Sequence, residues 1–312
     1  MGQYAHLVRQ KVESFEDLDE VVVGTQRKVV QVERGKLQGE ITHAMIGDLL
    51  IDMASFNLGL RTMGGSHKAR TCISMVAEST DRVIRSSYES LPGDVLVTEP
   101  NTEFENRYFG STTIIVVAPT VADTERIFAS KGLSPTSPLQ RQHFKAASET
   151  LIGFIPRLRS LIERLGDLSL TSDAAEFWKR AVIDAMTADM VGETLARCDG
   201  PAPSSLRVVR LVEQYLDSRP GQIVHVSEIC EQLHVARRTL HRAFHEALGI
   251  GPIAYLRYRR LCAAHLALRS GTMTDLTISD LAIQNGFQNV GRFASYYHEL
   301  FKEYPSETRR RQ

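Results

Sequence analysis

Arg238, His241, Arg242 and His245 recur at i, i+3, i+4 and i+7 in the stretch "ARRTLHRAFHEALG", and together they supply two guanidiniums, two imidazoles and no acid. Helical spacing puts them on one face, with Arg237 beside them at the start, and puts Leu240, Phe244, Ala247 and Leu248 on another. The chemistry such a face offers is hydrogen-bond donation. An arginine fork can donate two bonds to O6 and N7 of guanine, a contact worth about 1–3 kcal/mol of discrimination against the wrong base. A lone basic amphipathic helix is more simply a solvated surface, so what precedes it decides.

What precedes it is "VSEICEQLHV", Val226 to Val235, and fifty-two residues later the pattern returns as "ISDLAIQNGF", Ile278 to Phe287. Without gaps, Ser227 pairs with Ser279, Glu228 with Asp280, Ile229 with Leu281, Cys230 with Ala282 and Val235 with Phe287. Thr277 and Asp280 form the start of a capping box. Cys230 and Ala282 are small enough for a second helix to cross closely, and Gly286 can take a left-handed turn that His234 fills less easily. Val235 or Phe287 then plugs the turn into the core. This is the logic of a helix-turn-helix, stated twice. The helix after the second turn, "QNVGRFASYYHELFKEYP", buries Phe293, Tyr297, Leu300 and Phe301. It turns Val290, Gly291, Arg292, Ser295 and His298 outward, a face with one arginine and a bare glycine. The terminal "ETRRRQ" reads as a solvated charged end.

Between the two lies "GPIAYLRYRRLCAAHLALRSG", a helix with Pro252 in its first turn and Gly271 after its end. At about 1.5 Å per residue its 19 residues from Pro252 span roughly 28 Å. Two groove-reading helices must stand about 34–36 Å apart, and helix widths can supply the remainder. Before them, "LRVVRLVEQYLDSRPG" places Val208, Leu211, Val212, Tyr215 and Leu216 at helical spacing.

The rest of the chain carries the opposite charge. From Ser204 onward there are 15 Lys+Arg against 10 Asp+Glu, and before it 22 against 27 in a protein of zero net charge. A basic domain facing an anionic partner, joined to an acidic one, accounts for this. With 312 residues, 43% apolar and 24% charged, the chain suits two domains with cores of their own and excludes disordered and fibrous classes. It has neither a run of about 18 apolar residues nor a secretory leader, so a cytoplasmic protein is expected, without a membrane partner. Cys72, Cys198, Cys230 and Cys262 are scattered without a CxxC pair, so they suggest neither zinc site nor disulfide framework.

The first part reads as strands: "VVVG" at Val21, "RKVVQVERG" at Arg27, "LLIDMAS" at Leu49, "TCISMVAE" at Thr71, "DVLVTEP" at Asp94 and "STTIIVVAP" at Ser111. After Pro119 the spacing is helical in "SPLQRQHFKAASETLIGF", which Pro156 should interrupt or bound. It is helical again in "SDAAEFWKRAVIDAMTADMVGETLARC", with Ser172 or Asp173 as cap and a stripe of Phe177, Ala181 and Met186 that packs on the strands or on a second copy. The expected organisation is a β-rich domain over 1–120, a helical connector over 121–198, a linker over 199–205 and an all-α domain over 206–312.

The C-terminal segment resembles the DNA-binding domain of the AraC/XylS family of bacterial transcription regulators. The likeness rests on "VARRTLHRAFHEALGIGPIAYLRYRRLCAAHLAL" and "ISDLAIQNGFQNVGRFASYYHELFKEYPSETRR", about a hundred residues. The resemblance implies that Arg238, His241 and Arg242 occupy base-reading positions of the first unit, and Val290, Gly291, Arg292 and Ser295 those of the second. Ser295 stands where an arginine is common, and Lys302 where a glycine usually follows the last helix. The family also implies a cupin-like barrel or sheet at the N-terminus that binds an effector or pairs subunits; "LPGDVLVTEPNTEFE" resembles a cupin motif through Gly93, Asp94 and Pro100, without its metal-ligand histidine. "ERGKLQGEITHAMIGDLLIDMASFNLGLR" is similar to the ethanolamine-operon-regulator branch. The fold expected is therefore a multidomain α+β chain, and the function a promoter-binding regulator, an activator responsive to an effector, with homodimer and RNA polymerase as partners and no catalytic role, cofactor or metal. A cupin-type metal-dependent oxygenase with a DNA-binding tail is one alternative, for which only His43 and His67 are at hand. A sensor acting through protein partners is the other.

Overall fold

β-branched runs punctuated by Gly, Pro, Asn and Asp form strands because their side chains pack well on a pleated surface. The computed structural model describes residues 5–19, 25, 27–132, 142–144, 148–165, 170–188, 195–196, 204–271 and 276–311. Two compact units divide the chain: residues 1–29, 38–57 and 62–200, and residues 30–37, 58–61 and 201–312.

In the first unit, eight strands lie in the order β1 (Ala5–Val12), β3 (Gly39–Ile46), β4 (Leu49–Phe56), β11 (Thr112–Ala118), β6 (Cys72–Ser79), β9 (Val95–Thr98), β12 (Gln142–Phe144) and β13 (Leu195–Ala196). A second sheet has the order β2 (Arg27–Gln31), β5 (Leu60–Gly65), β10 (Glu103–Tyr108), β7 (Val83–Arg85) and β8 (Tyr88–Ser90). The ends of β2 and β5, from Val30 and up to Arg61, are counted in the other unit. These are two open sheets rather than one closed barrel, which narrows the expected cupin-like domain to its sheet form. Between them, Arg85 donates to the Ser74 carbonyl at 3.0 Å and to the Asp94 carbonyl at 2.8 Å; burial pushes its guanidinium down to about 10.

Three helices cover the large sheet: α1 (Val121–Ser130), α2 (Ser148–Leu165) and α3 (Ser172–Met186). Ile51, Ile73, Met75, Ile115 and Val117 of the sheet share one core with Phe128, Leu158, Ile162, Val182 and Met186 of the helices. Burying each such side chain contributes about 1.5–3 kcal/mol. Several local expectations shift here. Residues 142–144 are a strand, and the helix begins only at Ser148. Pro156 lies inside α2 rather than bounding it. The hydroxyl of Thr171, not Ser172 or Asp173, accepts the capping bond from the Ala174 N–H at 3.3 Å. The buried stripe of α3 is Ala175, Lys179, Val182, Ile183 and Met186, and Phe177 is 64% exposed. Lys179 can be inside because Asp48 and Asp123 hold its ammonium at 2.7 and 2.8 Å. "VVVG" at Val21 and Cys198 lie outside the described residues.

The second unit is helical: α4 (Ser204–Asp217), α5 (Val226–Gln232), α6 (Arg237–Leu248), α7 (Pro252–Arg269), α8 (Ile278–Gln284), α9 (Val290–Phe301) and α10 (Pro305–Arg310). α4 starts at Ser204, inside the stretch read as linker. Its inner face is Leu206, Val209, Val212 and Glu213, rotated from the expected stripe, and Leu211 is 48% exposed. The rotation follows from Glu213, which goes inward because Arg61 meets it there. α7 is buried on more than one side, so its apolar residues run round the helix instead of forming a stripe. Tyr255 meets Phe244 of α6, while His265 meets Tyr297 and Phe301 of α9. No helix among the described residues is long and apolar enough to cross a membrane.

Candidate nucleic-acid interface

The two repeated stretches make matching backbone hydrogen bonds through their turns. In α5 and its turn, Leu233 donates to Ile229, His234 to Glu231 and Val235 to Cys230, at 3.0, 3.3 and 3.0 Å. In α8 and its turn, Asn285 donates to Leu281, Gly286 to Ile283 and Phe287 to Ala282, at 3.1, 2.9 and 2.9 Å. His234 has φ 51° and Gly286 φ 79°, so both turns need the left-handed region. Phe287 is buried and Val235 half-buried.

Behind the first turn, α6 buries Leu240, Ala243, Phe244, Ala247 and Leu248. Arg237, Arg238, Arg242 and His245 are exposed and His241 half-exposed. Glu246 stands 3.8 Å from Arg242, both well exposed, a pair that water weakens. The helix ends at Gly249, left-handed at φ 73°, whose N–H donates to the His245 carbonyl at 3.0 Å.

Behind the second turn, α9 buries Phe293, Tyr297, Leu300 and Phe301. Gly291, Arg292 and Ser295 are exposed and Val290 half-buried. The Ser295 hydroxyl donates to the Gly291 carbonyl at 3.0 Å, so it serves its own helix in the free protein. His298 is half-exposed, and its ring stacks on Tyr304 with centroids 4.5 Å apart. Lys302 closes the helix in the left-handed region at φ 59°, the conformation a glycine would adopt more readily.

Sequence reasoning passed over the arginines of α7. Arg260 donates to the Gly286 carbonyl at 3.1 Å and lies over the Phe287 ring at 5.0 Å, pinning the second turn to the connecting helix. Arg257 lies over Tyr296 at 4.1 Å. Cations in the middle of a helix wanted by two cores were the available signal. The terminal arginines also have partners: Arg309 donates to the Leu276 carbonyl at 2.8 Å, and Arg311 pairs with Glu303. Burial alone would raise the Glu303 carboxyl. Hydrogen bonds from His265 and Thr308, with the charges of Arg311 and His265, outweigh it and hold the group at about 2. Residues 305–310 thus form a short helix packed through Pro305 and Thr308, while Glu307, Arg310 and Arg311 stay exposed, as expected of a charged end.

In the first unit, His43 Nδ1 lies 2.6 Å from buried Asp52, and His67 Nδ1 accepts the Ala69 N–H at 3.0 Å. Among the described residues, three or more His, Cys, Asp or Glu nowhere gather as a metal site would need.

The model of a helix-turn-helix domain matches residues 229–311. "XylDLEGF operon transcriptional activator 1" of Pseudomonas putida is 23% identical over 283 residues, 88% of this chain and 86% of that one. "Probable thc operon regulatory protein" of Rhodococcus erythropolis is 31% identical over 112 residues, 36% of this chain and 34% of that one. Two other Pseudomonas putida relatives are matched over 47% and 62% of their lengths. Among solved structures, the AraC-like transcriptional activator CuxR covers 83% of this chain and 96% of its own at 15% identity, with a TM-score of 0.43. Two turn motifs on a helical scaffold define a DNA-binding transcription regulator. Over most of its length the chain is similar to a transcriptional activator of the AraC/XylS type, and the family model covers its helix-turn-helix region.

Proposed function

We propose that the protein activates transcription by placing α6 and α9 in successive major-groove segments of promoter DNA, α6 contributing most of the sequence preference. The observation that carries this reading is the α6 face: Arg237, Arg238, Arg242 and His245 exposed, with His241 between them, on a helix whose other side is fully buried. Arg238, His241 and Arg242 read base edges, and Arg237 and His245 flank them. Val290, Gly291, Arg292 and Ser295 form the second, weaker face, which works more through backbone and apolar contact. Activation is supported by the names of relatives such as the XylDLEGF activators. RNA polymerase is then a partner, and the protein works in the cytoplasm without catalysing a reaction. The β-rich unit takes an effector or pairs subunits. Exposed Phe177 and Trp178 on α3 favour a homodimer. His43 and His67 have bonded roles already, so neither supports the oxygenase alternative.

The test is Arg238→Ala with Arg242→Ala in a gel-shift on promoter DNA. Loss of two bidentate contacts should weaken binding by about 2–6 kcal/mol and relax the preference at the bases they face. Unchanged affinity and preference would sink the assignment of α6.

A further inference from the structure

The second unit is not built from the C-terminal part of the sequence alone. Residues 30–37 and 58–61, encoded among the strands, belong to it. The first of these segments is fastened at the C-terminal end of α9. The Gly35 N–H and the Gln31 side-chain amide both donate to the Leu300 carbonyl, at 2.9 and 3.0 Å. Leu300 is in the last turn of α9, where carbonyls have no partner within the helix. Arg34 pairs with Glu299 of α9, and its Nε donates to the Tyr258 hydroxyl of α7 at 3.3 Å. One side chain therefore spans both helices.

The loop has its own framework. Gln31 also donates to the Glu33 and Gly35 carbonyls at 2.9 and 2.8 Å, and the Glu33 carboxylate accepts the Gly59 N–H at 2.5 Å, joining the two segments. At the end of the second segment, Arg61 is 1% exposed. Its Nε and Nη2 donate to the two oxygens of Glu213 in α4 at 2.7 and 2.5 Å, and Tyr255 of α7 donates to the same carboxylate. A pair buried this deeply is costly to leave half-made, so the segment is seated firmly.

We infer that these segments form a strap that positions the second reading helix: Gln31, Arg34 and Gly35 fix α9 against α7, and Arg61 seats the strap on α4. The inference rests on the reading of α9 as a groove-binding helix. The strap grips the end of α9 opposite to Val290, Gly291, Arg292 and Ser295. A 12-residue helix is about 18 Å long, so a tilt of about 10° at the gripped end moves the reading end by roughly 3 Å. That is enough to break hydrogen bonds to base edges. Gln31, Arg34, Gly35 and Arg61 are thus positioning residues, not base-reading ones.

The test uses the full chain and DNA sites that the wild-type protein selects from random sequence. Gln31→Ala with Arg34→Ala releases α9 while leaving the buried Arg61–Glu213 pair intact. On sites with both groove segments the affinity should fall about tenfold, the equivalent of about 1.4 kcal/mol. Hydroxyl-radical protection should disappear over the α9 segment and persist over the α6 segment, and a site trimmed to the α6 segment should bind as before. Arg34→Lys alone should retain part of the two-segment advantage. Amide hydrogen exchange in α6 should stay at the wild-type level, which separates loss of position from unfolding. Unchanged protection at both segments, or equal loss on full and trimmed sites, would overturn the strap. A wild-type footprint confined to one segment would instead overturn the two-segment reading, and the strap with it.

Discussion

At the scale of single residues, the second unit keeps its buried charges in place by pairing them closely. Glu303 is the clearest buried case, bonded to Thr308 at 2.5 Å, paired with Arg311 and 3.5 Å from His265. Its folded carboxyl titrates at about 2, against about 4.3 for an unperturbed glutamate. A depressed carboxylate contributes stability that is complete above the unfolded value and is lost as pH falls through the folded one. Between about pH 4.3 and 2, then, the wild-type protein should lose more stability than Glu303→Gln, as read from urea midpoints at a series of pH values. Parallel pH profiles for the two proteins would contradict the assignment. The outward arginines of α6 need no such support, which is why their spacing was legible in the sequence while the pairing of Glu303 was not.

At the scale of elements, the two helix-turn-helix copies are unequal in complementary ways. α8 starts with a complete capping box, Thr277 with Asp280, whereas His225 at the start of α5 makes no side-chain cap bond. α9 is capped by Asn289, and α6 by no side chain at Ala236. The copy with the richer reading face is the one with the poorer local stabilisation. The turns allow a paired test by thermal or urea unfolding. Gly286→Ala should destabilise by about 1–3 kcal/mol, because a β-carbon at left-handed φ is strained. That carbon would also meet Ile223 Cγ1 at 2.8 Å and Arg260 Nη1 at 3.0 Å. His234→Gly should instead gain up to about 1 kcal/mol, since it relieves the same backbone strain, less whatever glycine costs in unfolded-chain entropy. Equal effects at the two positions would mean that the turns differ from the pair described. The repeats, their turns and their facing stripes were readable because each is local, set by spacing of three to four residues. The α4 face was misread because Arg61, which draws Glu213 inward, lies 152 residues away in sequence. The α3 face was misread for a similar reason: Lys179 is buried on the strength of Asp48 and Asp123, which no helical period reveals. The strands β1, β3, β5, β7, β8, β10 and β12 lack a strong enough β-branched run to stand out, and take their place from pairing with neighbours.

At the scale of the whole molecule, charge is divided along the chain, with an excess of five positive charges from Ser204 onward offset by the same negative excess before it. The C-terminal unit joins α6 and α9, the two helices proposed to read DNA, through α7, 18 residues and roughly 27 Å long, and holds α9 at both its turn and its end. Arg260 grips the turn, and Gln31, Arg34 and Gly35 grip the end. The central claim is that one chain reads two groove segments, the first more strictly than the second. The most direct measurement is selection of bound sites from random DNA by the full-length protein, followed by affinity measurements on the selected sites over a range of salt. Two conserved boxes with centres about 10–10.5 base pairs apart should emerge, the one protected by α6 more sharply defined, with affinity falling steeply as salt rises. A single box, a spacing unrelated to the helical repeat, or a sharper box under α9 than under α6 would contradict it.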